Sequence, residues 1–203
     1  MTSHHLRQLR DLLQFTVVSE GGPLGKLAGL LFDPADWTIR NVIVAERGND
    51  REPIRVPVRF FRSIVDERRE LCFDVAGEVL LSHGDQQIGG LSRSAPIDAA
   101  SALGRPVAGY DDVAGSIDDL IVNIDVWQLR YLVVRTDAGR VLTDVEWCSS
   151  FDGDSPCLML DLPAAAVTGA PLYEGLDKLC IGYEELLYRH YTSRKNAGDC
   201  GVA

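Results

Sequence analysis

Histidines and clustered carboxylates are the residues of this chain whose chemistry could serve catalysis or metal binding. No histidine stands beside a serine, cysteine or carboxylate in a nucleophile arrangement, and no Gly-x-Ser-x-Gly motif occurs, so no catalytic site is predicted and the protein is not expected to be an enzyme. The aspartate clusters lack the twelve-residue ligand spacing of a calcium loop, which favours solvated turns over a cation site. No cofactor or metal is expected. The residues concerned are His4, His5, His83, His190, Asp111, Asp112, Asp118, Asp119, Asp152 and Asp154.

Charge and cysteine usage narrow the function classes further. Thirty acidic against twenty basic residues give a net charge of −10, which repels phosphate backbones and argues against nucleic-acid binding. The five cysteines form no Cys-x-x-Cys pair, so a zinc knuckle is not indicated and reduced thiols in a cytoplasmic protein are expected. No apolar run approaches the roughly 20 residues that cross a bilayer, so membrane insertion is not expected.

A tryptophan–arginine strand occurs twice and organises the whole chain. Trp37 and Trp127 each precede an arginine by three positions, Arg40 and Arg130, and a run of valine, isoleucine and leucine follows. The spacing of 90 residues suits a duplicated small domain rather than a solenoid. The tryptophans are interpreted as barrel packing rather than ligand stacking. Each arginine is expected to form a half-buried ion pair or hydrogen bond, and the matched partner candidates are Asp33 with Asn123 or Asp74 with Asp161.

The elements around this strand repeat in register. Each copy has a glycine turn, Gly25-Lys26 or Gly115-Ser116, and then apolar residues at intervals of three and two, which indicate a β-bulge. An alternating strand and a final short strand follow in both copies, offset by 87 residues. Each half is therefore predicted to fold as a small antiparallel β-barrel of about five or six strands, an all-β class.

These motifs together resemble the PRC-barrel domain, the barrel of the photosynthetic reaction-centre H subunit that a ribosome maturation factor shares. The resemblance covers about residues 9–84 and 100–171 and rests on Trp-x-[Ile/Leu]-Arg-x-[Leu/Val]-Val-Val in both copies. It implies a docking or assembly module. The residues of the repeat expected to be structural are Trp37, Arg40, Trp127, Arg130, Gly25 and Gly115. The photosynthetic subunit's membrane helix and the ribosomal factor's RNA-associated domain have no expected counterpart here.

The domain boundaries follow from the repeat. The first PRC-barrel-like domain is expected at 6–84, a glycine- and serine-containing linker at 85–99 and the second domain at 100–174. Residues 175–203 are expected to form an amphipathic helix from Leu176 to Tyr191 and a disordered tail from Asn196. Its apolar residues, among them Leu186, would cover a barrel or meet a second chain, which predicts a homodimer.

The expected function is therefore a non-enzymatic, protein-binding assembly module with an unidentified protein partner. The alternative is a small-molecule- or metal-binding stress protein. A ribosome-associated RNA-processing factor is a third possibility, which the acidic charge disfavours.

Overall fold

The structure is a computed structural model that describes residues 5–46, 52–75, 95–151 and 155–199. Strands dominate these ranges. The strands of the first half of the sequence are β1 (Leu6–Gln8), β2 (Thr16–Ser19), β3 (Gly22–Phe32), β4 (Ile39–Ala45), β5 (Ile54–Pro57), β6 (Phe61–Val65) and β7 (Glu70–Phe73). Those of the second half are β8 (Ile97–Asp98), β9 (Pro106–Ala108), β10 (Val113–Asn123), β11 (Gln128–Thr136), β12 (Gly139–Asp144), β13 (Cys148–Ser150) and β14 (Leu158–Leu160).

Four α-helices accompany these strands in the described ranges. They are α1 (Leu9–Leu12), α2 (Ala99–Ala102), α3 (Ala164–Thr168) and α4 (Ile181–Asp199). Short 3-10 turns occupy Val58–Phe60, Asp66–Arg68, Val145–Trp147 and Leu176–Lys178. No described helix is both long enough and apolar enough to span a membrane.

The strands form two sheets with the same neighbour order. One sheet runs β5-β4-β3-β2-β7-β6 with β8 added to β3, and the other runs β12-β11-β10-β9-β14-β13 with β1 added to β10. The prediction of two β-rich halves is therefore confirmed. The sheets are mixed rather than antiparallel, because β2 pairs with β7 and β9 with β14 in parallel. Neither described strand path closes into a barrel.

The chain divides into two compact units. The first unit comprises Leu9–Ser101, and the second unit comprises Met1–Gln8 together with Ala102–Ala203. Most of the predicted 85–99 linker falls outside the described residues, but its end contains β8, where Ile97 is buried.

Matched irregularities show that the two copies share one backbone design. In the pairing of β3 with β4, the register shifts between Leu27 and Gly29 and again between Leu31 and Phe32. In the pairing of β10 with β11, it shifts at the positions 90 residues later, between Ile117 and Asp119 and between Ile121 and Val122. The predicted bulges are thus confirmed in both copies.

The strand predicted to alternate after the polar loop is shorter than expected in both copies. It ends at Pro57 in the first unit and at Asp144 in the second unit, and a 3-10 turn follows each time. Proline has no N–H with which to continue a ladder. Asp144 achieves the same result differently, because its Oδ1 accepts a hydrogen bond from the Glu146 amide at 3.0 Å and caps the turn.

The core of each unit is made of the apolar faces of these strands. The bulge residues Leu30 and Leu120 are almost fully buried, which places the repeated irregularity at the centre of each sheet's packing. Other fully or nearly fully buried residues are Val17, Leu27, Val42, Val44 and Leu71 in the first unit, and Val107, Ile117, Leu132, Val134 and Leu158 in the second unit.

Candidate functional site

Gly25 and Gly115 lie where two strands approach too closely for any side chain. A Cβ on Gly25 would overlap the carbonyl oxygen of Ala45, and a Cβ on Gly115 would overlap that of Arg135. Gly25 also has a φ of +154°, which L-residues rarely adopt. Glycine at these two positions therefore allows equivalent pairs of neighbouring strands to approach closely, each within its own unit.

Trp37 and Trp127 lie in the turns before β4 and β11 rather than at the heads of those strands. Both adopt a left-handed conformation, with φ of 59° and 49°, which is uncommon for a bulky residue. Trp37 is half-buried and stacks on Phe32 with ring centroids 5.4 Å apart, whereas Trp127 is 6% exposed. The shared strain marks a turn that the surrounding packing imposes on each tryptophan.

Arg40 and Arg130 occupy equivalent positions but have different ionic partners. The Arg40 guanidinium lies 2.7 Å from the Asp36 carboxylate and 3.8 Å from Asp33. That of Arg130 lies 3.2 Å from Asp144. Asp33 was a predicted partner, and its contact is the longer one.

The partners predicted for Arg130 were Asn123 and Asp161, and its ion pairs go to Asp144 and Glu146 instead. Both arginines are about half exposed. Arginine is long enough to reach several positions around the strand end, so its partner depends on which of them holds a carboxylate, Asp36 in the first copy and Asp144 in the second. Such exposed pairs add little stability.

The second unit extends its arginine pair into a polar cluster that reaches α4. The Arg130 guanidinium lies over the Tyr131 ring, 5.3 Å from its centroid, and the Tyr131 hydroxyl donates a 2.8 Å hydrogen bond to Glu184 on α4. Burial raises the pKa of Asp144, against the lowering effects of the Glu146 amide and Arg130. Position 41 in the first unit, equivalent to Tyr131, is an asparagine, so this anchor is specific to the second copy.

Helix α4 packs on the second unit through its central turns. Tyr191 is fully buried, and its hydroxyl lies 2.7 Å from the Leu142 carbonyl oxygen and 3.0 Å from the Thr143 hydroxyl. Leu187 is also buried, and His190 Nε2 lies 2.7 Å from the Ala166 carbonyl oxygen. The helix thus covers part of the core of its own unit.

The bounds and exposed residues of α4 differ from the sequence prediction. Residues Leu176–Lys178 form a 3-10 turn, and the α-helix continues to Asp199, past the predicted start of a disordered tail at Asn196. Leu186, expected in the buried stripe, is 53% exposed. A helix that packs against a single sheet buries a narrower face than the stripe inferred from apolar spacing alone. Residues at the edge of that stripe therefore remain exposed to solvent.

Large exposed apolar side chains are confined to the second unit within the described part of the chain. They are Tyr110, Val113, Val126, Leu172, Ile181, Leu186 and Tyr188. At the three positions with an equivalent in the first copy, 90 residues earlier, that copy has Glu20, Pro23 and Asp36. Three of the seven lie on α4, and we name Ile181 and Tyr188, which share one face of the helix, the outer helix surface.

Carboxylates of the predicted acidic turns accept hydrogen bonds from backbone amides rather than only facing solvent. Asp111 accepts a hydrogen bond from the Ala164 amide at 2.7 Å, and Asp119, 3% exposed, accepts one from the Leu120 amide at 2.8 Å. Asp118 is also buried and pairs with the Arg135 guanidinium. The solvated-turn interpretation is therefore wrong for Asp118 and Asp119, because arginine and a backbone amide satisfy their buried carboxylates.

Other residues with possible chemistry have structural partners or fall outside the described ranges. His5 Nδ1 pairs with Asp125. Burial raises the pKa of the Cys148 thiol, which disfavours the reactive thiolate. In the described ranges, no group of three histidine, cysteine or acidic residues is placed to hold a metal ion. The residues outside those ranges are His4, His83, Asp152 and Asp154.

Two shallow surface depressions are the best candidates for a small-molecule site among the described residues. One, of about 480 Å³, lies at the β11–β12 hairpin beside Asp118, Arg135 and Arg140. The other, of about 380 Å³, lies around Leu24, Lys26 and Glu46. Both are open and edged by charged side chains, unlike the enclosed apolar clefts that bind metabolites.

Sequence reasoning missed two features of the site. The anchoring of α4 through Tyr131 and Tyr191 has only a weak signal, a tyrosine where the first copy has asparagine. The outer helix surface was overlooked because Ile181 and Tyr188 stand outside the helical spacing of the buried stripe. Comparison of the chain with protein-family models and with curated proteins finds no match.

Proposed function

We propose that this protein is a non-enzymatic interaction module built from two PRC-barrel-like units, and that the second unit carries its binding surface. The observation that carries the proposal is the asymmetry of exposed apolar residues between the copies. Exposed apolar side chains do not contribute to a core, so their presence in only one of two related copies supports a binding role rather than a folding role. The resemblance of the repeated Trp-x-x-Arg strand to PRC-barrels supports the same role.

The outer helix surface is the strongest part of that binding surface. Ile181 and Tyr188 are seven residues apart, which places them on one face of α4 about two turns from each other. Both are about two-thirds exposed, and exposed aromatic and aliphatic residues are typical anchors of protein interfaces. The buried face of the same helix is fixed by Tyr191 and Leu187, so the exposed face is presented on a rigid support.

The partner that we propose is a second copy of this chain. A twofold axis lets one helix surface meet its own equivalent, so a single set of apolar residues serves both sides of the contact. The high negative charge of the chain disfavours nucleic acid as the alternative partner. The expected assembly is a homodimer with α4 at the contact.

Light scattering after size exclusion tests the proposal with the full chain. The wild type should have twice the monomer mass of 22.3 kDa, and the double variant Ile181→Glu/Tyr188→Glu should have the monomer mass with an unchanged circular dichroism spectrum. Val126→Glu is the matched control, because Val126 is equally exposed in the same unit but lies in the β10–β11 turn. A monomeric wild type, or a double variant that remains dimeric, would refute the proposal.

A further inference from the structure

Each sheet is completed by a short strand that comes from the other half of the sequence. Strand β1, at the start of the first half, pairs with β10, and β8, at the start of the second half, pairs with β3. The two pairings are equivalent, since Arg7 lies opposite Val122 and Ile97 lies opposite Phe32, with an offset of 90 residues on both sides. The exchange is therefore reciprocal.

The exchanged strands are bound, not merely adjacent. Leu6 and Ile97 are buried in their receiving sheets at 8% and 3% exposure. The carbonyl oxygen of His5 accepts a hydrogen bond from the Ile124 amide at 2.9 Å, which extends the β1 pairing by one residue.

The β8 strand also brings a specific polar contact. Asp98 Oδ1 accepts hydrogen bonds from the amides of Leu30, at 3.3 Å, and Ala100, at 3.0 Å. A Cβ on Gly29 would overlap the Asp98 carboxylate, so the receiving strand has room for that side chain only because residue 29 is glycine. The β3 edge is thus shaped for the strand that it receives.

A reciprocal exchange of this kind is the pairing pattern of a strand-exchanged homodimer. When two identical chains donate the same strand to each other, residue i of one contacts residue j of its partner and the reverse contact occurs at the same time. Here the two equivalent chains are the two halves of one sequence.

We infer that the β10 edge at Ile121–Asn123 and the β3 edge at Leu31–Phe32 are strand-binding sites whose partner is the complementary half of this chain. The two halves associate through these sites without a peptide bond between them. The recognition is β-strand addition, with main-chain hydrogen bonds giving affinity and one buried apolar residue per strand giving register. This inference does not depend on the homodimer proposed above.

Cleavage of the folded full-length chain tests this inference. A specific protease sequence is inserted between Gly84 and Asp85, the protein is purified intact and then cut, and the products are diluted on a size-exclusion column. The two fragments should elute together and separate only in denaturant. Hydrogen exchange on the cut protein should still show protected amides at Leu30 and Ile124, which mark the two strand contacts directly.

Variants separate strand exchange from any other association of the fragments. Arg7→Pro combined with Ile97→Pro removes the backbone N–H of the equivalent residue in each exchanged strand, and it should weaken association of the cut halves by about 100-fold. Arg7→Thr combined with Ile97→Val keeps both N–H groups and an apolar side chain at position 97, and this control should associate like wild type.

Three results would overturn the inference. The cut wild type could separate into fragments, the amides of Leu30 and Ile124 could lose protection on cleavage, or the proline variant could hold its halves as tightly as the control. The hydrogen-exchange measurement uses the cut protein without the proline substitutions, so it tests the inference even where the proline variant does not fold.

Discussion

The two units satisfy the same bulge amide with carboxylates from different places in the sequence. In the first unit, the Leu30 amide donates to Asp98 on the exchanged strand β8, and residue 29 is glycine. In the second unit, the equivalent Leu120 amide donates to Asp119, the residue directly before it. Position 8, equivalent to Asp98 on the exchanged strand, is glutamine.

This difference shows that both copies must supply an acceptor for the bulge amide, although they do not supply it from equivalent residues. A bulge leaves an amide outside the ladder, and a buried amide without an acceptor costs about 1–3 kcal/mol. One copy meets the need locally and the other through a strand from the other half of the sequence. Alignment of the two copies residue by residue therefore does not reveal the most specific contact of the strand exchange.

The largest expected effect concerns the two tryptophans. Trp127→Ala should reduce the free energy of unfolding by about 3–5 kcal/mol, the range for a fully buried large aromatic. Trp37→Ala should cost less, about 1–3 kcal/mol, because Trp37 is half-buried and loses mainly its stack on Phe32. Urea denaturation followed by circular dichroism measures both.

Equal losses for the two tryptophan variants would contradict this comparison. They would show that the positive-φ turn, which both residues share, sets the energy rather than burial. Trp37→Gly and Trp127→Gly provide the control, because glycine removes the strain while also removing the ring.

The tryptophans also show how far the sequence alone reaches. Their repeat predicted the duplication, the strands that follow and the matched bulges, because apolar spacing records which residues face the core. It did not predict that both tryptophans lie in left-handed turns, since strand composition continues without a break from Trp37 to Val44. Local pattern carries no signal for a conformation that packing imposes.

The exchanged strands could not be predicted for a different reason. Leu6–Gln8 and Ile97–Asp98 are three and two residues long, too short for an alternation to be recognised. Which sheet edge receives them is a long-range property of the fold. The binding surface was foreseen only in outline, because a stripe with helical spacing did not distinguish exposed Leu186 from buried Leu187.

An intermediate effect comes from transplanting the arrangement of the second unit into the first. Gly29→Asp alone should cost about 2–3 kcal/mol, because it places a carboxylate where Asp98 already lies. Asp98→Gln alone should cost about 1–3 kcal/mol, because the Leu30 amide loses its carboxylate acceptor. The double variant should lose less than the sum by at least about 1 kcal/mol, since the new carboxylate at position 29 would supply the acceptor as Asp119 does.

Chemical denaturation of the four proteins in this cycle gives the coupling energy. Gly29→Asn serves as the matched control, because it adds the same bulk without the charge. Additive losses would show that the two units do not use interchangeable acceptors. Asp98 and Asp119 would then share a hydrogen-bonding geometry but not an energetic role.

The smallest expected effect is the pH dependence of the Asp98 contact. Burial raises the pKa of Asp98 above its ordinary value of 3.8, although the amides of Ala100 and Leu30 act in the opposite direction. A carboxyl group with a raised pKa in the folded state binds its proton more tightly there than in the unfolded chain. Its contribution to stability therefore falls as the pH rises through the window that begins near 3.8.

Asp98→Asn keeps an acceptor oxygen for Leu30 but has no charge, so its stability relative to wild type should increase from about pH 3.5 to about pH 7. Urea midpoints at those two pH values measure the change, with Asp137→Asn in an exposed turn as the control for the loss of one negative charge. If the wild type gains on Asp98→Asn as the pH rises, the two amide hydrogen bonds outweigh burial, and the β3 edge then selects an ionised carboxylate on the strand that it binds.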